Sequence, residues 1–137
     1  MNWEYYLEKG LVYKRSPDKN LSQSLIKTAQ EDLNFLKSLS LSENSSRKIF
    51  SNYYDVLRSI VEAISVLEGY KIYSHEAFSL FLEKKGETLI SKKFDRFRKI
   101  RNGINYYCKT ISILESKENI QEICKIIKFL LKKYFKK

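Results

Sequence analysis

Between Ser45 and Gly69 the apolar residues Phe50, Tyr53, Leu57, Ile60, Ile64 and Leu67 return every three or four positions. No other stretch constrains the fold as strongly, because this spacing turns one face of a helix toward a core. Ser45 or Ser46 starts that helix. Gly69 is a natural stop, since glycine accepts the left-handed conformation that ends helices. Other segments repeat in the same way. Leu21, Leu25, Ala29, Leu33 and Leu36 predict a helix over 21–38, with Asn20 as its cap and Gln23 at the capping-box position. Residues 39–46 are Ser-rich and read as a loop. Ser74 caps a shorter helix from His75 to about Lys85 that carries Ala77, Phe78, Phe81 and Leu82, and Gly86 breaks it. A second long helix is expected from Glu87 to Leu114. The last begins after Ser116 and carries Ile120, Ile123, Ile127, Leu130 and Tyr134.

At the N-terminal end, residues 2–9 read as a short aromatic helix with Trp3, Tyr6 and Leu7 on one side and Gly10 at its end; residues 14–20 read as a turn. The Lys-rich stretch 132–137 is expected to fray. One Pro and four Gly in 137 residues leave little turn chemistry, and no stretch alternates like a half-buried strand. These signals predict an all-α chain, an antiparallel bundle of four to five helices forming a single domain over residues 1–137.

The formal net charge is +10 and the sequence pI is about 9.5. A charge of that sign suits a polyanionic or acidic partner, although Lys-rich helix faces also serve plain solvation. Cys108 and Cys124 lack metal-ligand spacing, and with one His in the chain no metal site and no cofactor are expected. Two isolated cysteines fit buried thiols in a reducing cytoplasm. No signal peptide or membrane span is read, since no stretch of about 18 apolar residues exists. No phosphate-binding Gly loop, Ser nucleophile elbow or paired acids beside a base is present.

The stripe of the Glu87–Leu114 segment contains an anomaly. It runs Ile90, Phe94, Phe97, Arg101, Ile104, Cys108, Ile111, with a guanidinium among apolar neighbours. A charge on a core-facing seam is costly unless it is paired or reaches water. Beside it Asp95, Arg98, Asn102, Asn105 and Lys109 form a polar face. Asn102 and Tyr106 are four apart and share a face. Gly103 lowers helix propensity by about 1 kcal/mol relative to Ala and leaves room for a neighbour. Two readings of Arg101 stand open. In one it snorkels or pairs with an acid such as Asp95 or Glu62. In the other, Arg101, Asn102 and Tyr106 line a cleft and Arg101 binds a phosphate. Tyr53 and Tyr54 read as packing residues. Of the adjacent Tyr106 and Tyr107, one faces the core and the other a cleft. His75 reads as an exposed residue near a helix start, with a displaced catalytic base as the alternative.

The run from Arg98 through Arg101-Asn102-Gly103-Ile104-Asn105-Tyr106-Tyr107 resembles the signature region of HEPN domains. In that family an Arg, usually followed by a polar residue, precedes a His with four to six residues between them, on a late helix of a four- or five-helix bundle. Residues 54–63, Leu67–Lys71 and Ser74–Glu76 resemble its central helix and following loop, so the similarity covers about residues 20–130. The resemblance implies a homodimer whose signature helices face each other, RNA or a nucleotide as ligand, and metal-independent endoribonuclease activity. It also implies a toxin–antitoxin role, with a small nucleotidyltransferase as partner. Arg101 would stabilise the scissile phosphate through its planar donor fork, and Asn102 would orient a group by hydrogen bonds. Arg98, Asn105 and Lys109 are the accompanying RNA-binding candidates. At the three family spacings this chain has Tyr106, Tyr107 and Cys108, none an imidazole. A phenol is a poor general base at neutral pH, though it can donate a hydrogen bond or stack on a base. Cleavage and non-catalytic nucleotide or protein binding therefore both stay open.

Overall fold

A computed structural model of the chain describes residues 2–135. The fold is built around one helix that is buried on most sides. This is α3 (Ser46–Leu67), and its expected stripe is packed, with Phe50, Leu57 and Ile60 fully buried. Val56, Val61, Ala63 and Val66 add a second buried face, so neighbours cover all but one polar edge of it. Helix α2 (Lys19–Lys37) lies along it through Ala29, Leu33 and Leu36, and α6 (Ile113–Tyr134) through Ile123, Ile127 and Leu130. A second pair, α4 (His75–Lys84) and α5 (Thr88–Tyr107), contributes Phe78, Phe81, Phe94 and Phe97 to the same core. The short α1 (Trp3–Glu8) packs Trp3 and Tyr6 near α4. The chain is all-α in class apart from one small sheet.

Small hydroxyls tie the helices together. Ser22 on α2 donates to the Ala63 carbonyl of α3 at 2.8 Å, and Ser91 on α5 donates to the Ser79 carbonyl of α4 at 2.6 Å. Glu87, buried just before α5, accepts hydrogen bonds from Lys133 Nζ at 2.7 Å and the Tyr134 hydroxyl at 2.6 Å. That polar clasp joins the start of α5 to the end of α6.

Several expectations need correction. The sheet was not foreseen: β1 (Val12–Lys14) pairs antiparallel with β2 (Tyr70–Ile72), Val12 opposite Ile72 and Lys14 opposite Tyr70. Arg15 N donating to the Gly69 carbonyl and Tyr73 N donating to the Leu11 carbonyl, both at 2.7 Å, extend the pairing. The cap of α2 is Asp18, whose carboxylate accepts from Leu21 N at 2.9 Å, and Asn20 lies inside the helix. Leu21, expected on the buried stripe, is exposed.

Helix α5 stops at Tyr107 rather than Leu114. Cys108 takes the left-handed conformation (φ 54, ψ 30), and its N–H and that of Lys109 both point to the Gly103 carbonyl. Ser112 then caps α6, accepting from Glu115 N at 3.0 Å, so the last helix starts before Ser116. Cys108 is exposed instead of buried, while Ile111 is buried from the connecting loop. Lys132 and Lys133 lie within α6; the remaining Lys136 and Lys137 of the expected frayed tail fall outside the described residues.

Candidate functional site

Arg101 opens into a cavity of about 470 Å³ between α2, α3, the start of α4 and α5. Asn52, Asp55, Arg58 and Ser59 line it from α3, His75 from α4, and Asp32 and Phe35 from α2. The arginine is there because α5 turns its Phe94–Phe97 face onto α3, and the next position of that stripe reaches the polar edge of α3.

Arg101 is held from two sides. One guanidinium nitrogen lies 3.4 Å from Asp55 Oδ1. The guanidinium carbon sits 5.6 Å from the centre of the Tyr54 ring, a cation–π arrangement. Its Nε is buried without a hydrogen-bond partner among the described residues. Of the acids offered by sequence, neither engages it. Asp95 is taken by Arg98 and Lys99, and Glu62 by Arg58 at 3.2 Å and Lys71 at 3.5 Å.

The charges around the cavity are arranged unevenly in depth. The side chains of Arg101 and Arg58 are 19% and 27% exposed, against 39% for Asp55. Asp32 and Phe35 are exposed and form the outer edge. Among the lining groups the two arginines thus lie deeper than the two carboxylates, Asp55 and Asp32. The inner wall is therefore the more positive part.

His75 is half-buried, not exposed as expected, and its Nδ1 lies 3.0 Å from the hydroxyl of fully buried Tyr54. Burial lowers the imidazole pKa from its ordinary value, and the nearby Arg58 and Arg101 lower it further, against a smaller opposing pull from Asp55. Burial also raises the Tyr54 phenol far above its ordinary range, the cations Arg101 and Arg58 opposing only in part. Tyr54 packs as expected, but it also touches both polar groups of the site: its face lies under Arg101 and its hydroxyl meets His75.

The other sequence candidates lie elsewhere. Asn102 is half-buried and outside the cavity lining. Tyr106 is 70% exposed and Tyr107 73%, so neither faces the core of this chain. Asn105 and Lys109 are exposed, and the Lys109 stem covers Gly103, filling the room left there. Arg98 is engaged internally: its donors reach Asp95 at 2.8 and 3.0 Å, and Glu76 lies 3.8 Å away.

Sequence reading missed the contribution of α3. Asn52, Asp55, Ser59 and Glu62 follow a three-four-three spacing, a polar line on an otherwise buried helix, with Arg58 beside it. That line was visible in the sequence but reads as a solvated face until a second helix brings a cation to it. Among the described residues, no group of three or more His, Cys, Asp or Glu could hold a metal ion, and no helix is long and apolar enough to cross a membrane. Comparison with protein-family models, with curated proteins and with solved structures gives no match in any of the three.

Proposed function

We propose that this chain is an RNA-targeting protein with a HEPN-like helical bundle, in which the Arg101 cavity holds a backbone phosphate. The observation that carries this reading is a partly exposed guanidinium set in a cavity beside Arg58 and His75, with one carboxylate contact among the described residues, at 3.4 Å. Through its terminal nitrogens the planar guanidinium thus keeps donor capacity for phosphate oxygens, while its buried Nε lies out of a ligand's reach. The net charge of +10 supplies the long-range attraction that a polyanion would feel. The cytoplasm, a homodimer and an antitoxin of nucleotidyltransferase type belong to the same proposal through the family resemblance.

Within it, the binding role has more support than the cleaving one. The signature His position is Tyr106, which stands 70% exposed and outside the Arg101 cavity of the same chain. If cleavage occurs, the RNA 2′-oxygen attacks the adjacent phosphorus and the 5′-oxygen leaves, without a metal. The test is binding of single-stranded RNA by wild-type and Arg101→Ala proteins across a salt series, with a cleavage assay in the presence and absence of chelator. The expected result is weaker binding in the variant, with the slope of log affinity against log salt reduced by about one. A folded Arg101→Ala protein with unchanged salt-dependent affinity would remove the cavity from the RNA site.

A further inference from the structure

We propose that His75 is the third donor of this cavity: a neutral imidazole, locked by Tyr54 as the Nε2–H tautomer, that joins Arg58 and Arg101 in holding a phosphate oxygen. The assignment deepens the RNA reading above and rests on it for the source of the phosphate. It begins with the buried phenol. Tyr54 is inaccessible to water, and its hydroxyl has one hydrogen-bond partner among the described residues, His75 Nδ1 at 3.0 Å. An O–H buried without an acceptor loses its hydration and regains nothing. The phenol therefore donates to Nδ1. A ring nitrogen that accepts carries no proton, so the proton of the neutral ring sits on Nε2.

Nε2 makes no hydrogen bond within the described residues, and His75 lines the same cavity as Arg58 and Arg101. It is the ring nitrogen left for a ligand, and what it offers is an N–H. The surrounding charges keep the ring neutral. Arg58 on α3 and Arg98 and Arg101 on α5 oppose a second proton; Asp55 on α3 favours it. Asp32 of α2 lies at the exposed edge, and Glu76, next along α4, is bonded to the Tyr6 hydroxyl and faces Arg98. Adding a proton at Nδ1 would also turn the Tyr54 hydroxyl away from its acceptor. In this tautomer Nε2 gives a hydrogen bond and cannot take a proton from an RNA hydroxyl. His75 is thus a ligand for phosphate, not a displaced general base.

The chain has one His, so the imidazole yields a single set of NMR signals. Long-range proton–nitrogen correlation reads the tautomer directly in the wild-type protein. The expected spectrum has Nε2 protonated and Nδ1 bare at about pH 7 to 8, above the ordinary imidazole value, and Tyr54→Phe relaxes it to a tautomer mixture. Titration with inorganic phosphate and with a short oligoribonucleotide is expected to move the His75 signals. His75→Ala should lose about tenfold to a hundredfold in affinity for both, as for one hydrogen bond to a charged group, and His75→Gln, which restores a neutral donor, should recover part of it. A free protein with the proton on Nδ1, or a folded His75→Ala with full affinity, overturns the assignment. If phosphate moves the His75 signals but the oligoribonucleotide does not bind, the donor role stands and the RNA reading falls. If RNA binds in an Arg101-dependent way while the His75 signals stay still, the donor role falls and the RNA reading stands.

Discussion

Asp55→Asn should tighten RNA binding, although it removes an ion pair. Asp55 is the carboxylate nearest Arg101, with Oδ1 3.4 Å from a guanidinium nitrogen. It holds the arginine, but it also repels any anion that the arginine attracts. A phosphate on the far side of that guanidinium lies about 7 Å from the carboxylate, where Coulomb's law gives a repulsion of about 2.4 kcal/mol at an effective dielectric of about 20 and about 0.6 kcal/mol at about 80. Removing the charge while keeping the shape should therefore raise affinity about threefold to fiftyfold. The pair is partly exposed, so its loss should lower stability by at most about 1 kcal/mol. Fluorescence anisotropy with labelled single-stranded RNA at low salt measures the first quantity, and thermal unfolding the second. The gain should shrink as salt is added, because screening weakens the repulsion along with the attraction. A folded Asp55→Asn protein that binds RNA no better than wild type, or worse, would show that no phosphate sits beside Arg101.

Cys108→Gly should raise the melting temperature by about 3–5 °C, as read by circular dichroism, because glycine removes about 1 kcal/mol of left-handed backbone strain in a chain of this size; an unchanged or lower value would mean that the α5 terminus is not strained at φ 54. Acid should act on stability in two stages. The folded state depresses the His75 pKa, first through burial and then through Arg58 and Arg101, so the unfolded chain binds that proton more readily. The His75 contribution is thus complete above about pH 6.5 and declines as the pH falls through the lowered folded value. At Glu87 burial pushes the carboxyl up, but the hydrogen bonds from Lys133 and Tyr134 outweigh it and hold it below its ordinary value; at Glu122 Arg96 does the same. Their contribution is lost only below about pH 4.5. Melting temperature against pH should show both stages in wild type and only the second in His75→Gln; a single stage in wild type would contradict the burial of the imidazole.

The legible parts of the fold are those where a local signal coincides with a packing need. The α3 stripe, the stop at Gly69, the break at Gly86 and the start of α4 at His75 stand in the structure as read. The end of α5 was hidden because the apolar phase that includes Ile104 continues at Cys108 and Ile111, after the helix has stopped. The left-handed residue there is a Cys rather than the glycine that usually marks such a stop. Ser112 and Glu115 did carry a capping-box spacing, but the continuing stripe masked it. The strands are three residues each, too short for alternation to register, and their pairing is set by contacts far apart in sequence. At the site, Arg101 was conspicuous because it interrupts an apolar seam. Its surroundings were not, since the cavity is assembled from four helices and only α5 carried the anomaly.

The two-stranded clasp reaches beyond its six residues. Strand β2 ends at Ile72, the Tyr73 amide is tied back to Leu11, and His75 follows two residues later. On the next residue, Glu76 accepts from the Tyr6 hydroxyl at 2.6 Å. Residues 2–15 thus act as a splint along the segment that presents the imidazole. Loosening that splint, far from any arginine, would let the ring swing out of line with its two guanidinium companions.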